Sequence, residues 1–437
     1  MIFKTINHFV MTDSAELASN QLLEFRKSIP YFQNLDYPGP EGPGASMSGR
    51  GFPLLDELQD TDRKTLPDLL AAFPILNKDN LITLGENLYK SPGLPIVLFS
   101  ETSGTTTGVP LPTPRSASEL RLHSSNISTA FLEHLDPKID RVAIIVFGIM
   151  TPFPEAATLA LQSIGVPYLK IFPITDVCDY SKIFRVLTEY KITAILSTPT
   201  LANKLLFERT RQTPQSPWSV NKLLLTGESL GTGSRRHLDA SIGCQGAARC
   251  FIYGSSEVGT AMIGLPNGRY RALTKDFIFE VIPHKQLLFE SPEGIIKGSL
   301  VITSLHNAVR PLVRYNTGDC VAVFPTENGH FELLPLGRTI HQDISPEMSW
   351  NVDNAIYDFP HPVFHYDLRL NHDQQDATVH LVTSINPNTK LDLVNDLKSL
   401  ELALSEIISK PVRVILNPEN HLFNRSTFQK TNHVTIS

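Results

Sequence analysis

What this chain lacks narrows it first. Its 437 residues include four cysteines, Cys178, Cys244, Cys250 and Cys320, and no two of them form a Cys-x-x-Cys pair. That spacing builds neither a zinc ribbon nor a disulfide scaffold, and it fits a reducing cytosol. Lys and Arg form no cluster and the formal net charge is −6. A nucleic-acid surface needs concentrated cations against phosphate, so no nucleic-acid partner is expected. No apolar run reaches membrane-spanning length, and Met1 to Met11 is too short and too broken by polar residues for a signal segment. These absences predict a soluble, cytoplasmic protein with no membrane partner.

What remains is ordinary globular material. An apolar fraction of 41% supplies enough core, and 32 prolines point to many loops rather than a helical rod. The length exceeds what one core organises, which predicts two or more domains. Glu16 to Phe32 carries helical spacing, the proline and glycine loop Tyr37 to Gly44 follows, and Leu66 to Leu84 reads as helix and turn. Short apolar runs then read as buried strands: Val142 to Phe147, Tyr168 to Phe172, Ile192 to Leu196, Lys222 to Leu225 and Cys250 to Tyr253. Helical stretches at Ala156 to Ile164, Lys182 to Tyr190 and Leu201 to Arg211 lie between them. That alternation predicts a layered α/β domain with a largely parallel sheet.

Past Phe277 the pattern becomes strand-rich, with Phe277 to Ile282, Gln286 to Glu290 and Gly298 to Thr303 expected to pair antiparallel. Beyond Gly337-Arg338, strands at Phe364 to Leu370, Ala377 to Ser384 and Val412 to Leu416 accompany a helix from Leu391 to Ile408. The expected fold is therefore α/β, with a large N-terminal domain over 1–337 that includes a β-rich subdomain. A small, mobile α+β domain is expected over 338–437.

Four short motifs carry chemistry. Thr102-Ser-Gly-Thr-Thr-Thr-Gly-Val-Pro110 follows the apolar run Pro95 to Phe99, and its small residues can wrap a phosphate chain with amide and hydroxyl donors. By itself such a stretch is usually a linker, and no Lys follows its glycine as in nucleoside triphosphatases. Downstream, Tyr253-Gly-Ser-Ser-Glu-Val-Gly259 and Leu312-Val-Arg-Tyr-Asn-Thr-Gly-Asp319 each present a carboxylate, and Gly337-Arg338 follows. A lone Glu or Asp in a glycine turn is usually solvated or caps a helix; the ordered set says more.

With these motifs in hand, the sequence resembles the adenylate-forming superfamily of acyl-CoA synthetases and adenylation domains, above all its phenylacetate-CoA ligase-like branch. The phosphate loop, Thr226-Gly-Glu228, Tyr253 to Glu257 and Arg314 to Asp319 match its motifs, and Arg425 to Lys430 resembles its C-terminal Arg-Ser-x-Gly-Lys segment. The resemblance implies ATP, Mg²⁺ and a carboxylic acid as ligands, with CoA or a carrier protein as acyl acceptor.

It further implies that Thr102, Ser103, Gly104, Thr105, Thr106 and Gly108 cradle phosphates, that Gly227, Glu228 and Tyr253 lie on the adenine side, and that Gly254, Ser255 and Ser256 also bind ATP or AMP. Asp319 would bind the ribose and Glu257 would hold Mg²⁺. Arg338 and Lys430 would serve catalysis, with 338–343 as a hinge. Phe147, Gly148, Met150, Phe153, Thr198 and Pro199 would line the acyl pocket, whose lack of a carboxylate favours an aryl or alkyl acid over an amino acid.

The chain departs from that pattern at Thr107, an extra residue in the loop, at Val109 in place of a basic residue, and at Gln429 where a glycine is expected. Ile340 takes the place of an acidic hinge residue, and Ser299 that of a glutamate. Other readings stay open. The acceptor can be an amine, giving an amide synthetase. Gly227-Glu-Ser-Leu-Gly231 satisfies the hydrolase nucleophile pattern around Ser229, with Asp319 and His341 following in order. A non-catalytic nucleotide-binding descendant is the third. His361, His365 and His372 read as surface or packing residues rather than a zinc site.

Overall fold

The computed structural model describes residues 2–5, 8–28, 65–71, 73–82, 95–102, 110–146, 150–173, 179–212, 218–306, 309–310, 312–327, 330–338, 344–370, 375–384, 390–416 and 434–436. The chain opens on a hairpin, β1 (Ile2–Thr5) and β2 (His8–Met11), then α1 (Ala15–Ser28) and the short α2 (Leu66–Ala71). A two-stranded ladder of β3 (Ile96–Leu98) and β4 (Arg115–Ser116) leads into α3 (Ala117–His134). Its start is a capping box: the Ser116 hydroxyl accepts from the Glu119 amide and the Glu119 carboxylate accepts from the Ser116 amide.

Strand and helix then alternate. β5 (Val142–Ile145), α4 (Phe153–Ser163), β6 (Tyr168–Ile171), α5 (Tyr180–Glu189) and β7 (Ala194–Ser197) come first. α6 (Pro199–Thr210), β8 (Lys222–Leu225), α7 (Thr232–Ile242) and β9 (Ala248–Cys250) follow. The five strands make a parallel sheet in the order β6-β5-β7-β8-β9. Every residue of β5 and β7 is buried, which is why these strands read as unbroken apolar runs.

The run Cys250 to Tyr253 is not one strand. β9 ends at Cys250, and β10 (Ile252–Ser255) belongs to another sheet. Fully buried Phe251 is the corner: its amide donates to Leu225 of β8 while its carbonyl accepts from Gly264. β11 (Gly259–Gly264), β12 (Tyr270–Ala272), β13 (Phe277–Ile282), β14 (Ile296–Ser304), β15 (Tyr315–Pro325) and β16 (Phe331–Arg338) complete an antiparallel sheet, in the order β1-β2-β13-β14-β15-β16-β12-β11-β10. Gln286 to Glu290 forms turns and a single bridge rather than the expected strand, and Leu288 there is largely exposed, so nothing holds the segment as a ladder.

The main core lies between the large sheet and the parallel one, and a second core, with Phe131 against Phe251, fills the space under α3 and α4. A smaller unit follows: α8 (Pro346–Tyr357), β17 (Val363–Leu370), β18 (Ala377–Thr383), α9 (Lys390–Ile408), β19 (Val412–Leu416) and β20 (Val434–Ile436). Its four-stranded sheet, β19-β18-β17-β20, has its own core. The fold is thus mixed α/β with large sheets and a small C-terminal domain. Among the described residues, no helix is long and apolar enough to cross a membrane.

The small unit packs on α6 and α7. Phe364 stacks 5.3 Å from Phe207, the Tyr357 hydroxyl accepts from the Asn203 amide at 3.2 Å, and Asn354 accepts from the Gly233 amide at 2.8 Å. The His237 ring lies 5.4 Å from Tyr357 and 5.8 Å from Phe364, and burial pulls its pKa down to about 4. An unfolded histidine titrates near 6.5, so between pH 6.5 and 4 the unfolded chain binds a proton that the folded one refuses. Stability present above pH 6.5 is therefore lost as pH falls toward 4, by up to ~3 kcal/mol for this residue. The fall in unfolding free energy across that window should be shallower by this amount in His237→Gln; equal slopes would show that His237 contributes nothing.

Candidate active site

Most of the sequence-predicted residues that the structure describes come from the carboxyl ends of the parallel strands and from β10, β15 and β16 of the large sheet. Met150 follows β5, Thr198 follows β7 and Gly227 follows β8, which is where open parallel sheets bind ligands. β10 and β11 are joined by a turn at Ser256 to Val258, with the Ser255 hydroxyl accepting from the Val258 amide at 3.1 Å. Gly259 closes that turn at φ +81°, and a Cβ there would collide with the His123 ring. The turn therefore folds tightly over α3, with Glu257 half-buried in it.

Asp319 on β15 faces Arg338 on β16 across the ladder. Arg338 Nε donates to Asp319 Oδ1 at 2.8 Å, and the Tyr253 hydroxyl donates to Oδ2 at 2.7 Å. Arg338 Nη2 also reaches the Thr317 carbonyl at 3.4 Å, while the Thr317 hydroxyl accepts from the Asp319 amide at 3.1 Å. Three candidates thus meet in one network. Asp319 holds the Arg338 guanidinium in its charged form and raises its pKa. Burial, then the Asp319 charge, pushes the Tyr253 phenol well above its ordinary value.

Glu257 belongs to the same neighbourhood, since its charge acts on Arg338 and Arg115, and on Tyr315, whose phenol is raised first by burial. The stem of the glycine- and threonine-rich segment lies beside it. The Thr102 amide donates to Leu111 at 2.8 Å and its hydroxyl accepts from the Leu111 amide at 2.9 Å, so Thr102 closes the loop's base. Arg310 Nη1 donates to the Pro112 carbonyl at 3.1 Å, and the same guanidinium acts on Arg115 and Tyr315. Ser103, Gly104, Thr105, Thr106, Gly108, Phe147, Gly148 and Lys430 lie outside the described residues.

Other candidates have local work. Glu228 accepts from the Thr200 amide at 2.9 Å and its hydroxyl at 2.7 Å, which commits the carboxylate to the first turn of α6. Thr198 caps that helix and Pro199 begins it, buried. Phe153 begins α4 and packs on the second core, and the Met150 carbonyl accepts from the Glu101 amide at 2.9 Å. Gly254 and Ser256 sit half-buried in the strand and turn around Glu257.

Of the hydrolase set Ser229, Asp319 and His341, His341 lies outside the described residues, and the other two are placed otherwise than the pattern needs. A nucleophile elbow strains its serine, yet the positive φ of this turn is at Gly227, +85°, and Ser229 has none. Asp319 is bound by Tyr253 and Arg338 instead. Among the described residues no group of three or more His, Cys, Asp or Glu could hold a metal, and His361 pairs with Asp396 at 3.0 Å.

Arg115, Arg310, Tyr315 and His123 are absent from the sequence-based site. The capping box Ser116-x-x-Glu119 was the available signal for the first of them. Arg115 is buried; its Nη2 donates to the carbonyls of Ser256 at 2.5 Å and Glu257 at 3.1 Å, and its Nη1 pairs with Glu119 at 3.3 Å.

No family model and no curated protein matches the sequence. Solved structures do match its fold. 2-Hydroxyisobutyryl-CoA ligase in the postadenylation state aligns over 97% of this chain and 89% of its own, at 14% identity and a TM-score of 0.71. In its thioesterification state the same ligase gives 0.57 over the same shares. Benzoate CoA ligase from Burkholderia xenovorans LB400 gives 0.52 at 15% identity over 78% of this chain and 68% of its own. The amide bond synthetase McbA from Marinactinospora thermotolerans gives 0.51 at 15% identity over 78% and 67%. The chain has the fold of the adenylate-forming CoA ligases.

Proposed function

We propose that this protein is an ATP-dependent ligase that activates a carboxylic acid, aryl or alkyl, as an acyl-adenylate and passes the acyl group to a thiol of CoA or a carrier protein. The observation that carries the proposal is the Tyr253–Asp319–Arg338 network, with the Glu257 charge acting on the same arginine beside the stem of a glycine- and threonine-rich loop. In the first step a carboxylate oxygen bonds to the α-phosphorus of ATP and the bond to pyrophosphate breaks. In the second, a thiol sulfur bonds to the acyl carbon and AMP leaves.

Asp319 would accept the ribose hydroxyls, Tyr253 would lie against adenine, and Arg338 would face the α-phosphate from its anchor on Asp319. The loop from Thr102 to Gly108 would hold the β- and γ-phosphates, and Lys430 would lie between the two anions that must meet. A single half-buried carboxylate, Glu257, suits Mg²⁺, which takes one or two carboxylates and completes its shell with phosphates and water. When bound, Mg²⁺ would screen the charge of the phosphates.

The small unit, 338–437, would swing about 338–343 between the two steps. In support, the chain superposes better on the postadenylation state of 2-hydroxyisobutyryl-CoA ligase than on its thioesterification state, 0.71 against 0.57. An amine acceptor is the second reading, favoured by the likeness to an amide bond synthetase, whose TM-score of 0.51 is close to the 0.52 of benzoate CoA ligase.

The test is pyrophosphate release with ATP, Mg²⁺ and a panel of carboxylic acids, with hydroxylamine as surrogate acceptor. At least one acid should give AMP and a hydroxamate, and CoA or an amine in place of hydroxylamine then identifies the acceptor. If no acid is turned over while an ester panel is cleaved in a Ser229-dependent way, the ligase reading fails.

A further inference from the structure

We propose that Arg115 is a positioning residue that aims the Glu257 carboxylate by fixing the two peptide groups on either side of it. The inference rests on the reading of Glu257 as the carboxylate that faces nucleotide and Mg²⁺.

A carboxylate in a turn has no helix or ladder to orient it. The carbonyl of Ser256 belongs to the peptide plane that sets φ of residue 257, and the carbonyl of Glu257 belongs to the plane that sets its ψ. Arg115 Nη2 donates to both, at 2.5 and 3.1 Å. With both planes held, the Cα–Cβ direction of Glu257 is determined before its side chain selects a rotamer.

The guanidinium is itself buried and paired. β4 pairs with β3, and Arg115 Nη1 pairs with Glu119 Oε1 at 3.3 Å, side chains 4% and 0% exposed. The other Glu119 oxygen accepts from the Ser116 amide at 2.8 Å and the Val309 amide at 3.0 Å. Arg115 and its partner Glu119 thus join the loop stem, the first turn of α3, the chain at Val309 and the Glu257 turn. On the far side of that turn, buried His123 occupies the space that Gly259 leaves open, and its Nδ1 lies 3.3 Å from the Thr260 amide. The turn is clamped from two sides.

Lysine cannot replace this arginine, because one ammonium cannot span two carbonyls and a carboxylate in the same plane. Outer partners of metal-holding groups commonly change affinity by about 10- to 100-fold. Arg115→Lys should therefore weaken Mg²⁺-dependent ATP binding by about tenfold or more while metal-free AMP binding changes less than about twofold. The measurement is the equilibrium affinity for ATP with Mg²⁺, for ATP with EDTA and for AMP, alongside pyrophosphate exchange.

The decisive comparison is a double-mutant cycle with Glu257→Gln. If Arg115 acts through Glu257, Arg115→Lys added to Glu257→Gln should cost nothing further in Mg²⁺-dependent affinity. Losses that multiply, or ATP and AMP affinities that fall together, overturn the proposal and leave Arg115 a structural ion pair. Should Arg115→Lys fail to fold, the paired variant Arg115→Gln with Glu119→Gln removes both buried charges at once and is tested in the same cycle. A wild-type protein that binds no ATP would sink the ligase reading itself; normal wild-type binding with an unaffected Arg115 variant would sink this inference alone.

Discussion

Arg314→Met is expected to destabilise the folded chain by about 3–5 kcal/mol, the usual cost of stranding one member of a buried ion pair. Arg314 opens the motif that ends in Asp319, yet its side chain turns into the protein. Nε donates to Glu280 Oε1 at 3.1 Å, Nη2 lies 3.0 Å from Oε2, and Nη1 donates to the carbonyls of Leu70 at 3.1 Å and Phe73 at 2.8 Å. Glu280 is fully buried on β13, where it also meets His8 Nε2 at 2.8 Å. Methionine would leave that carboxylate and two carbonyls without their donor.

The backbone adds its own constraint: Arg314 has φ +49°, and its amide donates to the Thr303 hydroxyl at 2.9 Å. Urea or thermal unfolding checks the expectation, which an unchanged midpoint would refute. Adding Glu280→Leu to Arg314→Met should recover much of the loss, because an apolar pair of similar volume removes the uncompensated charge. The distinction matters for assays of function. An Arg314 variant that loses activity does so by losing the fold, whereas AMP affinity measured below its unfolding transition should stay close to wild type.

Which features were legible in the sequence follows from what each residue answers to. β5, β7 and β8 were readable because their burial leaves an apolar run that no neighbour has to explain. α8 was not read, although Ser345 caps it and Pro346 begins it. Its apolar stripe is interrupted by Asp353 and Asn354, which are there for partners distant in sequence: Tyr366 donates to Asp353 at 3.2 Å, and Gly233 donates to Asn354. The corner at Phe251 carries no glycine or proline to announce it, because the break is made by two sheets competing for adjacent strands.

The site divides in the same way. Tyr253, Asp319 and Arg338 lie in short motifs that are weak one by one, and they stood out because their order along the chain resembles that of a known family. Glu228 stood out equally, but it does have a local use at the start of α6, and only coordinates reveal that. Arg115 lies 141 residues from the turn it holds. Within its own segment it is simply the residue before a helix cap.

Asp319→Ala should raise the KM for ATP and the Kd for AMP together, by about 10- to 100-fold, since a hydrogen bond to a charged group is worth roughly 1.5–3 kcal/mol. Both nucleotides carry the ribose, so a carboxylate that binds ribose must affect them alike. This pattern is the opposite of the one expected for Arg115, which should separate Mg²⁺-bound ATP from AMP. The same substitution removes the Asp319 carboxylate to which Arg338 Nε donates, and with it the charge that raises the Arg338 pKa. Adenylate formation should therefore fall further than nucleotide binding.

Asp319→Asn separates the two effects. Its amide oxygen can still accept from Arg338 and its amide nitrogen can donate to the Tyr253 oxygen, so the network closes without its charge. Asparagine should retain the fold and much of the Arg338 placement while weakening ribose binding. 2′-Deoxy-ATP supplies the control: wild type should discriminate against it, and Asp319→Ala should lose that discrimination. Were the alanine variant to weaken ATP alone, or to keep its preference for the 2′-hydroxyl, Asp319 would be acting on the phosphates or the fold, and the ribose assignment would be wrong.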